Sequence, residues 1–333
     1  MNDADTAARS GPRAPRTHLT HPPTRAALLI QHRVLTSVRA TLGRHGFVEL
    51  PLPLVGPVTD PGVRGAKQAD VDYYGTTYKI MTSAILYKQA AMLAFDKIFC
   101  IAPNLRLEPL DTAVTGRHLV EFHQIDVEAA GATREEVMEL AQSLVTEAVI
   151  DVMREAPDEL ERLGRDAGAF AELLDKPFER MSHAEAVTHL TALGVRQSGT
   201  AEITWEGERV LSAKAGRPFF VTDYPKGSRG FYDRESIDAP GTLRNFDLIA
   251  PEGFGELASG AEREYEPGKI IERMRETGEN PAKYGWYLDL VREGIHPSAG
   301  FGIGLERLVR YVTGADDVWE VCAFPKLPGM IAR

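Results

Sequence analysis

Apolar positions Leu28, Leu29, Val34, Leu35, Val38 and Leu42 recur at helical spacing in "RAALLIQHRVLTSVRATLGRHGF" and stop at a glycine, which predicts a long amphipathic helix. "FVELPLPLV" follows as an extended segment, and Pro51 and Pro53 confine it to a sheet edge or an interface. "YYGTTYKIMTS", "KIFCIAPNLRLE" and "HLVEFHQIDVEAA" read as strands, with a helical "AILYKQAAMLAF" after the first. A helical stretch from Arg134 to Glu161 continues, acidic and alanine-rich, to Leu193. It reads as an insert over about 134–192, packed around the rim of a site. Strands resume at "RPFFVTDYP", "GTLRNFDLIAP" and "GELASGAERE", and two more helices, "PGKIIERMRETG" and "YGWYLDLVREG", precede the C-terminal motif. Strands joined by hairpin-like turns, with helices between, predict an α+β fold on an antiparallel-rich sheet. No internal repeat and no second linker interrupts residues 25–333.

"GFGIGLERLVRYVTG" (Gly300 to Gly314) alternates glycine with apolar residues and then turns helical. A dinucleotide fingerprint would place its glycines between strand and helix, early in a βαβ unit. Here Gly300, Gly302 and Gly304 alternate within the strand, near the C-terminus, so that reading fails. Alternate glycines clear one strand face, so that a flat ligand can approach the backbone. Leu305, Leu308, Val309 and Val312 form the buried face of the helix, and Arg307 lies off it. In "HLVEFHQIDVE", Phe122, Gln124 and Asp126 share one strand face: an aromatic ring, an amide and a carboxylate make a pocket wall. His123 faces the Ile125 side, which points to packing or support.

The chain carries 38 basic and 48 acidic side chains, a formal charge of −10. That balance disfavours a nucleic-acid binder, which needs a basic docking face. Two cysteines, Cys100 and Cys322, lie far apart without metal-ligand spacing, which excludes a disulfide scaffold and a zinc site. No stretch reaches the roughly 18 apolar residues of a membrane span. Residues 1–24, rich in Pro, Thr and Arg, read as a disordered tail without a signal sequence, and the expected location is the cytoplasm.

Gly46, Phe47 and Pro53, then "LRLE…RHLVEF", then "GIGLER" match in order the three motifs of class II aminoacyl-tRNA synthetases. The chain resembles their aspartyl/asparaginyl branch from roughly Arg25 to Pro328. The resemblance implies an antiparallel sheet of roughly six to seven strands flanked by helices, and a homodimer. It implies ATP and Mg²⁺ as cofactors. Arg106 would grip the α-phosphate and the attacking carboxylate, as a rigid guanidinium fork suits. Phe122 and Arg307 would sandwich the adenine over the strand of Gly302 and Gly304, Glu108 would lie on the adenine side, and Arg117 with His118 would reach the phosphates. Asp247 and Glu256 resemble the magnesium-binding acids. Asp126 would hold the substrate ammonium, with Ser83, Gln124 and Ser259 nearby, and Lys88 with Arg263 would clamp a second carboxylate. Two cations on one carboxylate reject a neutral amide, so the expected substrate is aspartate.

Two departures shape the expected activity. An anticodon-reading barrel precedes the first motif in that branch, and here only the short tail does, so no tRNA partner is expected. "TSAILYKQ" has Ser83, Ala84, Ile85 where synthetases have Ser-Pro-Gln or Ser-Gly-Gln, and isoleucine cannot hold an ammonium group. Aspartate bound end for end would present its β-carboxylate to ATP, and ammonia would then release asparagine, AMP and pyrophosphate. "PVTDP", "SAILYKQ" and "FPKLPG" resemble archaeal-type asparagine synthetases, which look like asparaginyl-tRNA synthetases without the anticodon domain. No cysteine is placed to serve a glutaminase, so ammonia or a small amine is the expected acceptor. The alternatives are an amide ligase of specialised metabolism with another carboxylate or amine, a non-catalytic synthetase paralogue, and a truncated aspartyl/asparaginyl-tRNA synthetase.

Overall fold

The computed structural model describes residues 11–61 and 65–330. Residues 1–10 of the expected tail lie outside them, but Pro15–Thr20 (α1) is helical and tied down: His18 is buried, and its Nε2 donates to the Cys322 carbonyl at 2.8 Å. Proline in the first turn starts both α1 and α2 (Pro22–Arg44), where its missing N–H costs no hydrogen bond. Ile30, Val34, Val38 and Leu42, four residues apart, form the buried spine of α2, while Leu29 points outward.

After α2 come β1 (Val48–Glu49), β2 (Val55–Gly56), the hairpin of β3 (Asp70–Tyr73) and β4 (Thr76–Ile80), α3 (Ile85–Ala91), β5 (Lys97–Leu105) and β6 (Glu121–Ala130). A capping box at Thr133 and Glu136 starts α4 (Arg134–Glu155), followed by α5 (Pro157–Arg162), α6 (Ala171–Asp175), β7 (Glu179–Ser182), α7 (His183–Ala192) and α8 (Trp205–Lys214). The chain continues through β8 (Phe219–Thr222), β9 (Asn245–Ala250), β10 (Gly255–Glu262), α9 (Pro267–Glu276), α10 (Gly285–Gly294), β11 (Ser298–Gly304) and α11 (Leu305–Thr313).

Eight strands form one sheet in the order β1-β5-β6-β11-β10-β9-β8-β7, and β2-β4-β3 form a small second sheet. The large sheet is antiparallel inside and parallel only at its outer pairs, β1 with β5 and β7 with β8. It is therefore the expected antiparallel α+β architecture, widened by one strand added in parallel at each edge. Ile125 and Val127 of β6, Leu248 of β9 and Phe301 and Ile303 of β11 face α2, α4 and α11 across the main core. Helix α4 buries Val137, Ala141, Leu144, Val145, Ala148 and Val152 there, so the first third of the expected rim insert is a core helix. Its run of small and β-branched residues lets α2 and the sheet approach it closely. Among the described residues no helix is long and apolar enough to cross a membrane.

The opposite face of the same strands is polar, and the alternate glycines of β11 explain how it is filled. Gly300 and Gly302 stand opposite Glu128 and Asp126 of β6. A Cβ on Gly302 would come 2.9 Å from Asp126 Oδ1, and one on Gly300 would overlap Glu128 Oε2 and the Val127 carbonyl. The glycines thus clear space first for two acidic side chains of the neighbouring strand, and only Gly302 and Gly304 border open cavity. Gly300→Ala is expected to cost about 1–3 kcal/mol by overpacking. A urea-unfolding midpoint equal to the parent's would show that β6 and β11 can separate freely, contrary to this packing.

Candidate active site

A cavity of about 520 Å³ opens on the polar face. Its walls come from β6, β10 and β11, from the start of α3, from the loop around Arg229 and from Trp205 at the start of α8. It brings together Ser83, Lys88, Arg106, Glu108, Arg117, His118, Phe122, Gln124, Asp126, Glu256, Ser259, Gly302, Gly304, Arg263 and Arg307. Asp247 lies just behind it, fully buried.

One cluster is cationic and aromatic. Arg106 Nε donates to the Thr82 carbonyl at 3.0 Å, which fixes its guanidinium 5.1 Å from the Phe122 ring centroid. Arg307 Nη1 donates to Glu256 Oε1 at 3.2 Å and its Nε to the Arg117 carbonyl at 3.3 Å. Arg117 is buried, held by Glu208 Oε2 at 2.5 Å and lying 5.1 Å from the Trp205 ring. His118 meets Thr115 Oγ1 at 2.5 Å and sets its ring edge-on to Trp205 at 4.6 Å. In this state Phe122 is covered by Arg106, and Arg307 sits across from Glu256.

The second cluster is a buried ion network. Lys88 Nζ donates to Asp126 Oδ1 at 2.7 Å and to the Phe301 carbonyl at 3.2 Å, and lies 3.8 Å from Glu128. Arg263 Nε lies 3.1 Å from Glu128 Oε1, and its Nη1 lies 3.3 Å from Asp233 Oδ1. Ser298 Oγ donates to Glu128 as well, at 2.8 Å. Burial pushes the Asp233 carboxyl up, against the pull of Arg263 and Arg229. Two cations therefore face three carboxylates, and neither Lys88 nor Arg263 is left unmatched. Asp126 Oδ2, by contrast, is buried without a hydrogen-bond partner. The pair of cations expected to clamp a substrate carboxylate thus carries counter-charges of its own inside the protein.

A third group joins the expected metal acids. Ser259 Oγ lies 2.7 Å from Asp247 Oδ1 and 3.3 Å from Glu256 Oε1. Arg229 Nη2 donates to Asp247 Oδ2 at 2.6 Å. Gln124 accepts from Asn104 Nδ2 at 2.8 Å, and Ser83 Oγ accepts from the Ile85 N–H at 3.3 Å. Ile85 itself is buried in an apolar cluster with Leu86, Tyr287 and Leu288.

His123 is half-exposed, and both its ring Nδ1 and its backbone N–H meet the buried Glu306 carboxylate, at 2.9 and 3.0 Å. That hydrogen bond raises the imidazole above its usual range, with burial opposing. Glu128, Glu208 and Trp205 were not foreseen. Only Glu128 had a local signal, since it continues the two-residue series of Phe122, Gln124 and Asp126.

Such a sheet, with glycine-cleared β11 running into α11 and an arginine on each side of the cavity, is the catalytic fold of a class II synthetase. The chain belongs to the family of class II tRNA synthetases (D, K and N), whose description matches residues 13–328. It is 33% identical to an asparagine–tRNA ligase of Pyrococcus abyssi over 314 residues, 94% of this chain and 71% of that protein. It is also 33% identical to an asparagine–tRNA ligase of Chloroflexus aurantiacus, over 90% of this chain and 69% of that one. The asparaginyl-tRNA synthetase of Pyrococcus horikoshii, solved with asparaginyl-adenylate, superposes with a TM-score of 0.90 at 31% identity, covering 96% of this chain and 72% of that one.

The chain is thus a ligase of an ATP-using family. These relatives overturn the expected asparagine synthetase that joins aspartate to ammonia, and with it the expectation of no tRNA partner: each is a tRNA ligase. Net charge is no guide on this point, because −10 describes the whole surface and not any one face of it.

Lys88→Met should leave Asp126 as an unpaired buried carboxylate and cost about 3–5 kcal/mol. Calorimetric unfolding checks it, and a loss under about 1 kcal/mol would mean the network is solvated. For His123 the folded-state value is the raised one. Its small contribution, a few tenths of a kcal/mol for a half-exposed pair, is full below about pH 6.5 and fades as pH climbs through the raised value. Urea midpoints of parent and His123→Gln should therefore converge with rising pH, and a constant gap would assign the effect to packing.

Proposed function

We propose that the chain activates asparagine with ATP, forming asparaginyl-adenylate and pyrophosphate, and transfers the asparaginyl group to tRNA. The observation that carries this reading is the matched ion network with one open acceptor, Asp126 Oδ2. An N–H donor of the substrate completes that acceptor, whereas a second carboxylate would meet an excess of its own charge. The likeness to the asparaginyl-adenylate complex supports the same choice.

The roles follow from position. Asp126, beside Gln124, takes the substrate ammonium, which relieves Ile85 of any polar duty. Lys88 and Arg263 orient Asp126 and Glu128 and have no substrate charge to clamp. Phe122 stacks the adenine once Arg106 turns toward the α-phosphate, and Glu108 borders the base. Arg106 then faces both the phosphate and the attacking carboxylate, where negative charge builds. The carboxylate oxygen bonds to the α-phosphorus, the bond to the bridging oxygen breaks, and pyrophosphate leaves toward Arg117, His118 and Arg307. A terminal hydroxyl of tRNA attacks the acyl carbon, and AMP departs.

Asp247 and Glu256 converge on Ser259 and can supply two carboxylate oxygens to Mg²⁺. Among the described residues no group of three or more His, Cys, Asp or Glu could hold a metal, so the remaining ligands must be phosphate oxygens and water. The ion would neutralise the phosphates as charge shifts onto the leaving group.

Pyrophosphate exchange into ATP tests the first half. Asparagine should support it and aspartate should not, and Arg106→Ala should lower it by about 10²–10³-fold. Exchange with aspartate alone overturns the substrate. Exchange with asparagine but no aminoacylated tRNA overturns the acceptor.

A further inference from the structure

Arg229 is the cation that meets Asp247, the deeper of the two candidate metal acids, while Arg307 meets Glu256. Asp247 has no exposed surface, and both its oxygens are engaged, Oδ1 by Ser259 and Oδ2 by Arg229 Nη2 at 2.6 Å. The guanidinium has a second set of contacts pointing away from the cavity. Its Nε lies 2.6 Å from Glu202 Oε1, and its carbon lies 4.1 Å from the centroid of the buried Tyr224 ring. Its Nη1 lies 3.5 Å from Ser259 Oγ, the hydroxyl that also reaches Glu256. One arginine thus bridges a structural carboxylate, Glu202, and a candidate metal ligand, Asp247.

A divalent cation and a guanidinium repel, so both cannot rest against the same buried oxygen. We infer that Arg229 is a built-in counter-ion that occupies Asp247 in the nucleotide-free enzyme and yields it when ATP brings its own cation. Glu202 and the face of Tyr224 keep the arginine anchored after release, so its charge is shifted and not expelled into solvent. Arg229 is a positioning residue, acting through Asp247. The consequence is an order of entry: the metal does not load by itself, because displacing Arg229 requires the phosphate ligands that arrive with the nucleotide. This inference rests on the adenylation reading for the presence of ATP, but its chemistry is confined to the metal and the arginine.

The test uses Mn²⁺ as probe on the full chain, with free ion followed by electron paramagnetic resonance and neither amino acid nor tRNA present. The parent should bind Mn²⁺ weakly without nucleotide, and Arg229→Gln should bind it at least about 10-fold more tightly. Glu202→Gln, which leaves Asp247 as the main partner of the arginine, should bind Mn²⁺ more weakly still. It should also raise the Mg²⁺ concentration needed for half-maximal pyrophosphate exchange. A purely structural arginine would move both variants in the same direction. If Arg229→Gln does not fold, Arg229→Lys serves, since a single ammonium cannot span Asp247 and Glu202 together; about 3-fold tighter binding is then expected. Equal Mn²⁺ affinity in parent and Arg229 variant, or tight binding by the parent alone, overturns the inference. Loss of pyrophosphate exchange with Mn²⁺ results intact would instead fault the adenylation reading.

Discussion

Everything in the cavity is arranged around the burial of Lys88, Asp126, Glu128 and Arg263 between β6, β10, β11 and α3. Each is almost fully withdrawn from water, so each must find its opposite charge inside the protein or destabilise the fold. That requirement reaches outward. It dictates glycine at Gly300 and Gly302, because the acids of β6 need the space a Cβ would fill. It brings Ser298 and the Phe301 carbonyl in as extra partners, and it draws Asp233 from a distant loop to the far side of Arg263.

The same rule governs the cationic half. Arg117 answers Glu208, Arg307 answers Glu256, and Arg229 answers both Glu202 and Asp247. These three arginines are already compensated within the protein, so substrate binding beside them exchanges one partner for another. Arginine suits such exchanges because its planar fork can keep one partner while releasing another.

Where the structure adds what the sequence did not show, partners distant in sequence and the direction of a helix face are the cause. Reading Lys88 and Arg263 as a clamp for a carboxylate was sound for two isolated cations. In the fold Glu128 and Asp233, 135 and 30 residues from Arg263, already lie against that pair. The helical stretch after Arg134 was read as rim, yet its apolar face turns inward to the main core, and it is α8, later in the chain, that reaches the site through Trp205 and Glu208.

The sequence by itself determined the period of each element, the motif order that marks a class II catalytic sheet, and the face shared by Phe122, Gln124 and Asp126. The periods and the shared face follow from local repeats of two and 3.6 residues and from the φ/ψ and steric demands of glycine and proline, while the motif order is carried by the resemblance. The tertiary structure alone decided which charges are spoken for. Counter-ion pairing depends on distances of a few ångström between residues far apart in the chain, and in a low-dielectric interior it decides whether a cation can take a substrate carboxylate or is already neutral.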